Sequence, residues 1–265
     1  MRPEHALAML ACCLLLAGCS RLSFVEKSAK RSGYTQVAPT YKVSDHGRKG
    51  APANAAALIG QAASSYRAGD FAKAREFATA ALRQDKAAAG AHNILGLVAD
   101  AAGDAAEAGK HYKAAVDARP GEGAHLNNYG AWLCGNGRAA ESLPWFDRAL
   151  ADAAYPARAD ALANAGRCAA LAGQPQLAET RLRAALQLAP DHVAGLASMA
   201  ELAYGAGRDL EARAFSERRL AAAPPDRDAL QLAARIEDRL GDASAAARYR
   251  AMIVRLPPDP ARTTP

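Results

Sequence analysis

Six glycines recur along this 265-residue chain at a nearly constant step. Gly69, Gly103 and Gly137 stand 34 residues apart, Gly173 follows 36 later, and Gly207 and Gly241 each come 34 after the one before. With 21 glycines in 265 positions, six such coincidences arise by chance at ~10⁻⁷ in a given phase. A fixed step of this length describes stacked supersecondary units, none of which buries its apolar face alone. Composition says what the units are made of. Hydrophobic residues are 51% of the chain and aromatics 6%, so the apolar content is mostly alanine and leucine, which favour helices over strands. An all-β fold and disorder throughout are both excluded.

Placing the six glycines at repeat position 15 starts the units at residues 55, 89, 123, 159, 193 and 227, with a two-residue insertion around Tyr155-Pro156. Other positions then test the frame. Position 8 reads Ala62, Gly96, Gly130, Gly166, Ala200 and Ala234, and position 20 reads Ala74, Ala108, Ser142, Ala178, Ala212 and Ala246. All are small, as paired helices at close approach require. Position 27 reads Ala81, Ala115, Ala149 and Ala185, then departs to Arg219 and Ile253. Near position 32, Pro120, Pro156, Pro190, Pro224 and Pro258 stop each second helix, with Lys86 in the first unit. Over residues 55–258 this pattern resembles the tetratricopeptide repeat. The fold class it implies is all-α, a right-handed α-solenoid of about six tetratricopeptide repeats whose first helices line a concave groove.

The segments flanking the array read differently. Arg2 precedes an apolar run from Ala6 to Ala17, too short to span a bilayer and suited to a secretory signal over residues 1–18. Leu16-Ala17-Gly18-Cys19 resembles the lipobox of bacterial lipoproteins, which implies lipidation of Cys19, and Ser20 after it implies delivery to the outer membrane. Residues 20–54 carry seven cations against two anions, a net +5, leaving +1 for residues 55–265 of the total +6. Residues 19–54 are therefore expected to be the lipidated cysteine and a flexible basic tether, of roughly 30–35 Å root-mean-square span, and 259–265 a disordered tail. The nearly neutral array lacks the electrostatic footprint of a nucleic-acid binder.

No catalytic constellation is visible. There is no phosphate loop, no G-x-S-x-G and no H-E-x-x-H, so neither an enzyme nor a small-molecule substrate is expected. No cofactor is expected beyond the covalent lipid on Cys19. His92, His111, His125 and His192 occupy unlike repeat positions, so no metal site is expected. Cys134 and Cys168, on first helices of adjacent repeats, are expected to be joined in an exported protein, the alternative being two buried small apolar side chains. Closing about 34 residues would stabilise by roughly 3–4 kcal/mol. Asn93 and Asn127 at position 5, and Asn128 and Asn164 at position 6, either present amides to a partner's backbone or satisfy local groups. Ile59, Tyr66, Ile94 and Leu97 make the first two repeats the more apolar end of the groove, suited to an amphipathic partner.

The stretch Asn127-Asn128-Tyr129-Gly130-Ala131-Trp132-Leu133-Cys134, with Gly137-Arg138 and Glu141-Ser142, resembles the type IV pilus biogenesis and stability lipoproteins, the PilF/PilW pilotins. Its continuation through Phe146, Ala149-Leu150, Tyr155-Pro156, Asn164, Gly166, Cys168 and Gly173 does so too, insertion and paired cysteines included. The resemblance implies an outer-membrane lipoprotein on the periplasmic face that binds type IV pilus secretin subunits and promotes their localisation and multimerisation. The alternative is a periplasmic adaptor that regulates peptidoglycan synthases or hydrolases.

Overall fold

The computed structural model describes residues 54–257. The expected signal segment, Cys19, the tether up to residue 53, Pro258 and the tail lie outside these residues. Among the described residues there are twelve helices and no strand. They are α1 (Ala55–Arg67), α2 (Phe71–Gln84), α3 (Ala89–Ala101), α4 (Ala105–Ala118), α5 (Gly123–Gly135), α6 (Ala139–Ala151), α7 (Arg158–Leu171), α8 (Pro175–Leu188), α9 (Val193–Gly205), α10 (Asp209–Ala222), α11 (Arg227–Leu240) and α12 (Ala243–Arg255). Consecutive pairs form six helical hairpins, stacked as the α-solenoid of a tetratricopeptide-repeat array. None of these helices is long and apolar enough to cross a membrane.

The glycine period works through backbone conformation. All six periodic glycines take positive φ between the helices of their hairpins, for example 80° at Gly103, a region where a Cβ is strained. Aspartate follows three of them. Asp70, Asp104 and Asp242 accept hydrogen bonds from Lys73 N, Glu107 N and Ala245 N and so cap α2, α4 and α12. The inner helical glycines answer a different need. A Cβ on Gly166 would stand 2.6 Å from Leu182 and 3.0 Å from the Ala178 carbonyl, and one on Gly130 3.0 Å from the Phe146 ring. Close packing of the hairpin helices thus offsets the ~1 kcal/mol lost in helix propensity.

Larger side chains seal the joints between repeats. The Trp132 indole lies where a Cβ on Gly109 would be, 2.2 Å from its ring, and its Nε1–H donates to the Ala105 carbonyl at 2.9 Å. Tyr129 stacks on Trp132 and meets Trp145 edge-on at 4.8 Å. The two-residue insertion delivers Tyr155, buried against the start of α5, where Gly123 N donates to Asp152 at 2.9 Å. Burial there raises the Tyr155 phenol well above its ordinary range.

Arg219, the departure at position 27, is buried and holds the chain that leads from α10 into α11. Its guanidinium donates to the carbonyls of Ala223 and Pro224 and pairs with Asp226. Asp226 also caps α11 through Ala229 N. A buried cation replaces the small residue because this turn supplies three acceptors for it.

Candidate functional site

Each first helix packs on the first helix of the following repeat, from α1 on α3 through α9 on α11. Among the described residues, successive second helices do not pack backbone on backbone and meet through long side chains, Arg181 with Asp147 at 2.6 Å and Arg183 with Glu211 at 3.0 Å. The first-helix side is therefore the shorter, inner side, and it forms the concave face.

Buried amides run through the first-helix packing of repeats two to four. Asn164 Nδ2 donates to Asn127 Oδ1 at 3.1 Å, Asn127 Nδ2 to Asn128 Oδ1 at 3.4 Å, and Asn128 Nδ2 to Asn93 Oδ1 at 3.2 Å. All four asparagines are at most 2% exposed. Of the two readings open for them, local satisfaction is the one the geometry takes, except that Asn93 Nδ2 is buried with no acceptor. Leu97 and Ile94 are likewise fully buried, Leu97 against Tyr112 and Tyr129, and Ile94 among Leu58, Ala78 and Leu95. Ile59 is 9% exposed. The expectation that these side chains line an open groove is therefore corrected. Successive first helices sit close enough for positions 5, 6 and 9 of the early repeats to become helix-to-helix contacts.

Tyr66 alone of the expected groove residues keeps part of its surface. Its ring packs against Phe71 at 5.4 Å, and Phe71 is 37% exposed. Burial, with the Asp100 carboxylate second, pushes the Tyr66 phenol up to about 12.

Cys134 and Cys168 are bonded to each other, with their Cα atoms 5.9 Å apart. The bond ties α5 to α7 and is buried among Ala131, Phe146 and Ala165.

The accessible part of the concave face lies in repeats four to six, which the sequence reading passed over. Position 9 changes character along the array: Ala63, Leu97 and Ala131 in the first three repeats, then Arg167, Glu201 and Arg235. Writing out that one position in all six repeats would have found the row. Glu201 is open to solvent yet has protein on either side, as the floor of a concave surface does. Desolvation raises its carboxyl above the usual range, opposed by the Arg167 cation and reinforced by Asp228. Tyr204, at position 12, lies under two guanidinium groups, Arg239 at 4.2 Å and Arg235 at 4.8 Å from its ring centre. Contact with Arg239, then Arg235, lowers the Tyr204 phenol. Mixed charge beside a half-exposed ring suits recognition of a polypeptide segment.

The histidines stay apart except for one pair. His92 and His111 meet across α3 and α4, with Nδ1 atoms 3.0 Å apart. His192 caps α9 by accepting from Gly195 N at 3.0 Å and donates Nε2–H to Asp160, while His125 is buried beside Glu122. Among the described residues no three His, Cys, Asp or Glu side chains gather as a metal-binding group.

Residues 121–191 match the tetratricopeptide repeat family. The chain is similar to PilW, a widely conserved type IV pilus biogenesis factor, with a TM-score of 0.71 and 28% identity over 78% of this chain and 95% of PilW. PilF of Pseudomonas aeruginosa gives 0.68 and 24% identity over 77% of this chain and 92% of that one. YrrB, a tetratricopeptide-repeat protein with an unusual peptide-binding site, gives 0.52 and 21% over 67% and 91%. The last two likenesses show the fold alone. No curated protein matches the sequence.

Proposed function

We propose that this tetratricopeptide-repeat protein serves type IV pilus biogenesis as a lipid-anchored pilotin. Cys19 carries the lipid and holds the array at the periplasmic face of the outer membrane. The concave face captures a segment of the pilus secretin, and tethering raises the local concentration of secretin subunits where they multimerise. The observation that supports this reading most is the likeness to PilW, which runs through 95% of that protein. The row Arg167, Glu201 and Arg235, with Tyr66 at the other end of the face, is the docking surface in this reading. A segment carrying both charge signs beside apolar residues complements it.

Affinity purification of the full-length protein from its own membranes tests the partner. Secretin subunits should co-purify with the unaltered protein and be depleted with Glu201→Lys. Recovery of a cell-wall synthase or hydrolase with no secretin would overturn the reading. Fractionation of Cys19→Ser tests the anchor separately, since loss from the outer-membrane fraction with the helical array intact is the expected result.

A further inference from the structure

The last repeat keeps a helix-packing face with no helix on it among the described residues. Positions 17, 21, 24 and 28 of a second helix receive the first helix that follows. Gly109 at position 21 lies under Trp132, Val116 at position 28 packs with Leu126, and Phe146 at position 24 packs with Ala165 and Cys168. On α12 these positions hold Ala243, Ala247, Arg250 and Val254, and all four are exposed, Val254 by 84%. Position 28 is aliphatic in every repeat, from Leu82 to Val254, and open to solvent only in the last. The other end of the array is finished with polar groups. Positions 7 and 10 of the first helices meet the preceding repeat and are apolar in repeats two to six, yet α1 has Gln61 and Ser64 there, both exposed. A solenoid needs such a polar outer face on its terminal repeats. The first repeat provides one, whereas α12 presents small and aliphatic side chains.

Charge decides what fits this face. Every charged side chain of α12 is an arginine. Arg250 is held by Asp238 of α11, while Arg248 and Arg255, about 100–120° around the helix from Val254, pair with no carboxylate among the described residues. A second copy of the chain is a poor complement. Joined through α12, two copies set arginines against arginines, and joined head to tail they set Val254 against Gln61 and Ser64. Residues 258–265 carry no leucine, isoleucine, valine or aromatic side chain to lay on the face. An amphipathic helix with an acidic excess does complement it, with its aliphatic row on Ala243, Ala247 and Val254 and its carboxylates on Arg248 and Arg255. We propose that this end of the array is a second docking site, apart from the concave row, for one acidic amphipathic helix of another protein, which takes the place of a further first helix.

The test titrates the full-length protein with a synthetic helical peptide that has leucine at i, i+3 and i+7 and glutamate beside them. The peptide should bind, and Val254→Asp and Arg255→Glu should each weaken it by about tenfold or more with unchanged circular dichroism melts. The same peptide with lysine in place of glutamate should not bind. A photocrosslinker at position 254 in the protein's own cells identifies the natural occupant, which should be a segment with that spacing and an acidic excess. Equal affinity of the glutamate peptide for the unaltered protein and both variants overturns the proposal. So do crosslinks confined to lipid or to α12 of a second copy, and so does the absence of any crosslink.

Discussion

Asn128 on α5 donates its amide to Asn93 on α3, 35 residues earlier, at 3.2 Å in a site with no solvent. The contact joins two repeats through polar groups at the place where an apolar pair would serve packing as well. It is one rung of a chain of amides that Asn127 extends to Asn164. Such a chain fixes the register of neighbouring first helices, since a shifted helix leaves buried donors unmet.

Asn127 both donates and accepts within this chain, so Asn127→Ala should cost about 1–3 kcal/mol of stability. Asn93→Ala should cost less, because it also removes a buried amide donor that has no acceptor. Urea unfolding of the two variants side by side checks the order. Equal losses would mean that the unmet donor carries no penalty.

Reduction of the Cys134–Cys168 bond opens a loop of 34 residues and should lower stability by roughly 3–4 kcal/mol, as should replacing either cysteine with serine. Denaturation with and without reductant gives the difference, and the serine variants should show no response to reductant.

The hairpin glycines divide by what stands against them. Gly166→Ala drives a Cβ toward Leu182 and a backbone carbonyl and should destabilise by about 1–3 kcal/mol. Gly130→Ala meets only the edge of a ring at 3.0 Å, and its gain of ~1 kcal/mol in helix propensity should bring the net change near zero. Thermal melts rank the two.

Glu201 carries a pH signature. Its carboxyl is raised in the folded protein by desolvation, so folding disfavours the ionised form. Its contribution is therefore most favourable below the ordinary value of 4.5 and is lost as pH rises through the folded value. Glu201→Gln should melt higher than the unaltered protein at neutral pH, and the gap should close in acid below 4.5. A variant that melts lower than the unaltered protein at neutral pH would place Glu201 in a favourable ion pair instead.

Leu97 and Glu201 occupy the same repeat position and should behave oppositely. Leu97→Glu buries a charge among Tyr112 and Tyr129 and should cost more than about 3 kcal/mol. Glu201→Lys, at an exposed site where the side chain can reach solvent, should cost far less than Leu97→Glu. Circular dichroism melts of both decide this.

The periodicity of glycine and of small residues made the architecture legible, because those positions are dictated by turns and helix spacing that any member of the array must satisfy. The partner face was less legible. Position 9 is buried at Leu97 and open at Glu201, a difference set by how neighbouring first helices close on one another rather than by the local pattern. The His92–His111 meeting escaped notice for a related reason. The two occupy different positions on the two helices of one hairpin, and repeat-by-repeat comparison aligns like positions only. Arg219 showed as a break in pattern, but its acceptors, the carbonyls of Ala223 and Pro224, have no residue-type signal.

The covalent tie between α5 and α7 has a mechanical meaning. Under tension applied at its two ends, a stack held by nearest-neighbour contacts peels from the outside inward. The sulfur link halts peeling in the middle and keeps the 34-residue span it closes from lengthening, withholding roughly 110 Å of extension at about 3.3 Å per residue. Repeats one and two can yield to load on one side and repeats five and six on the other, while the centre stays a fixed length.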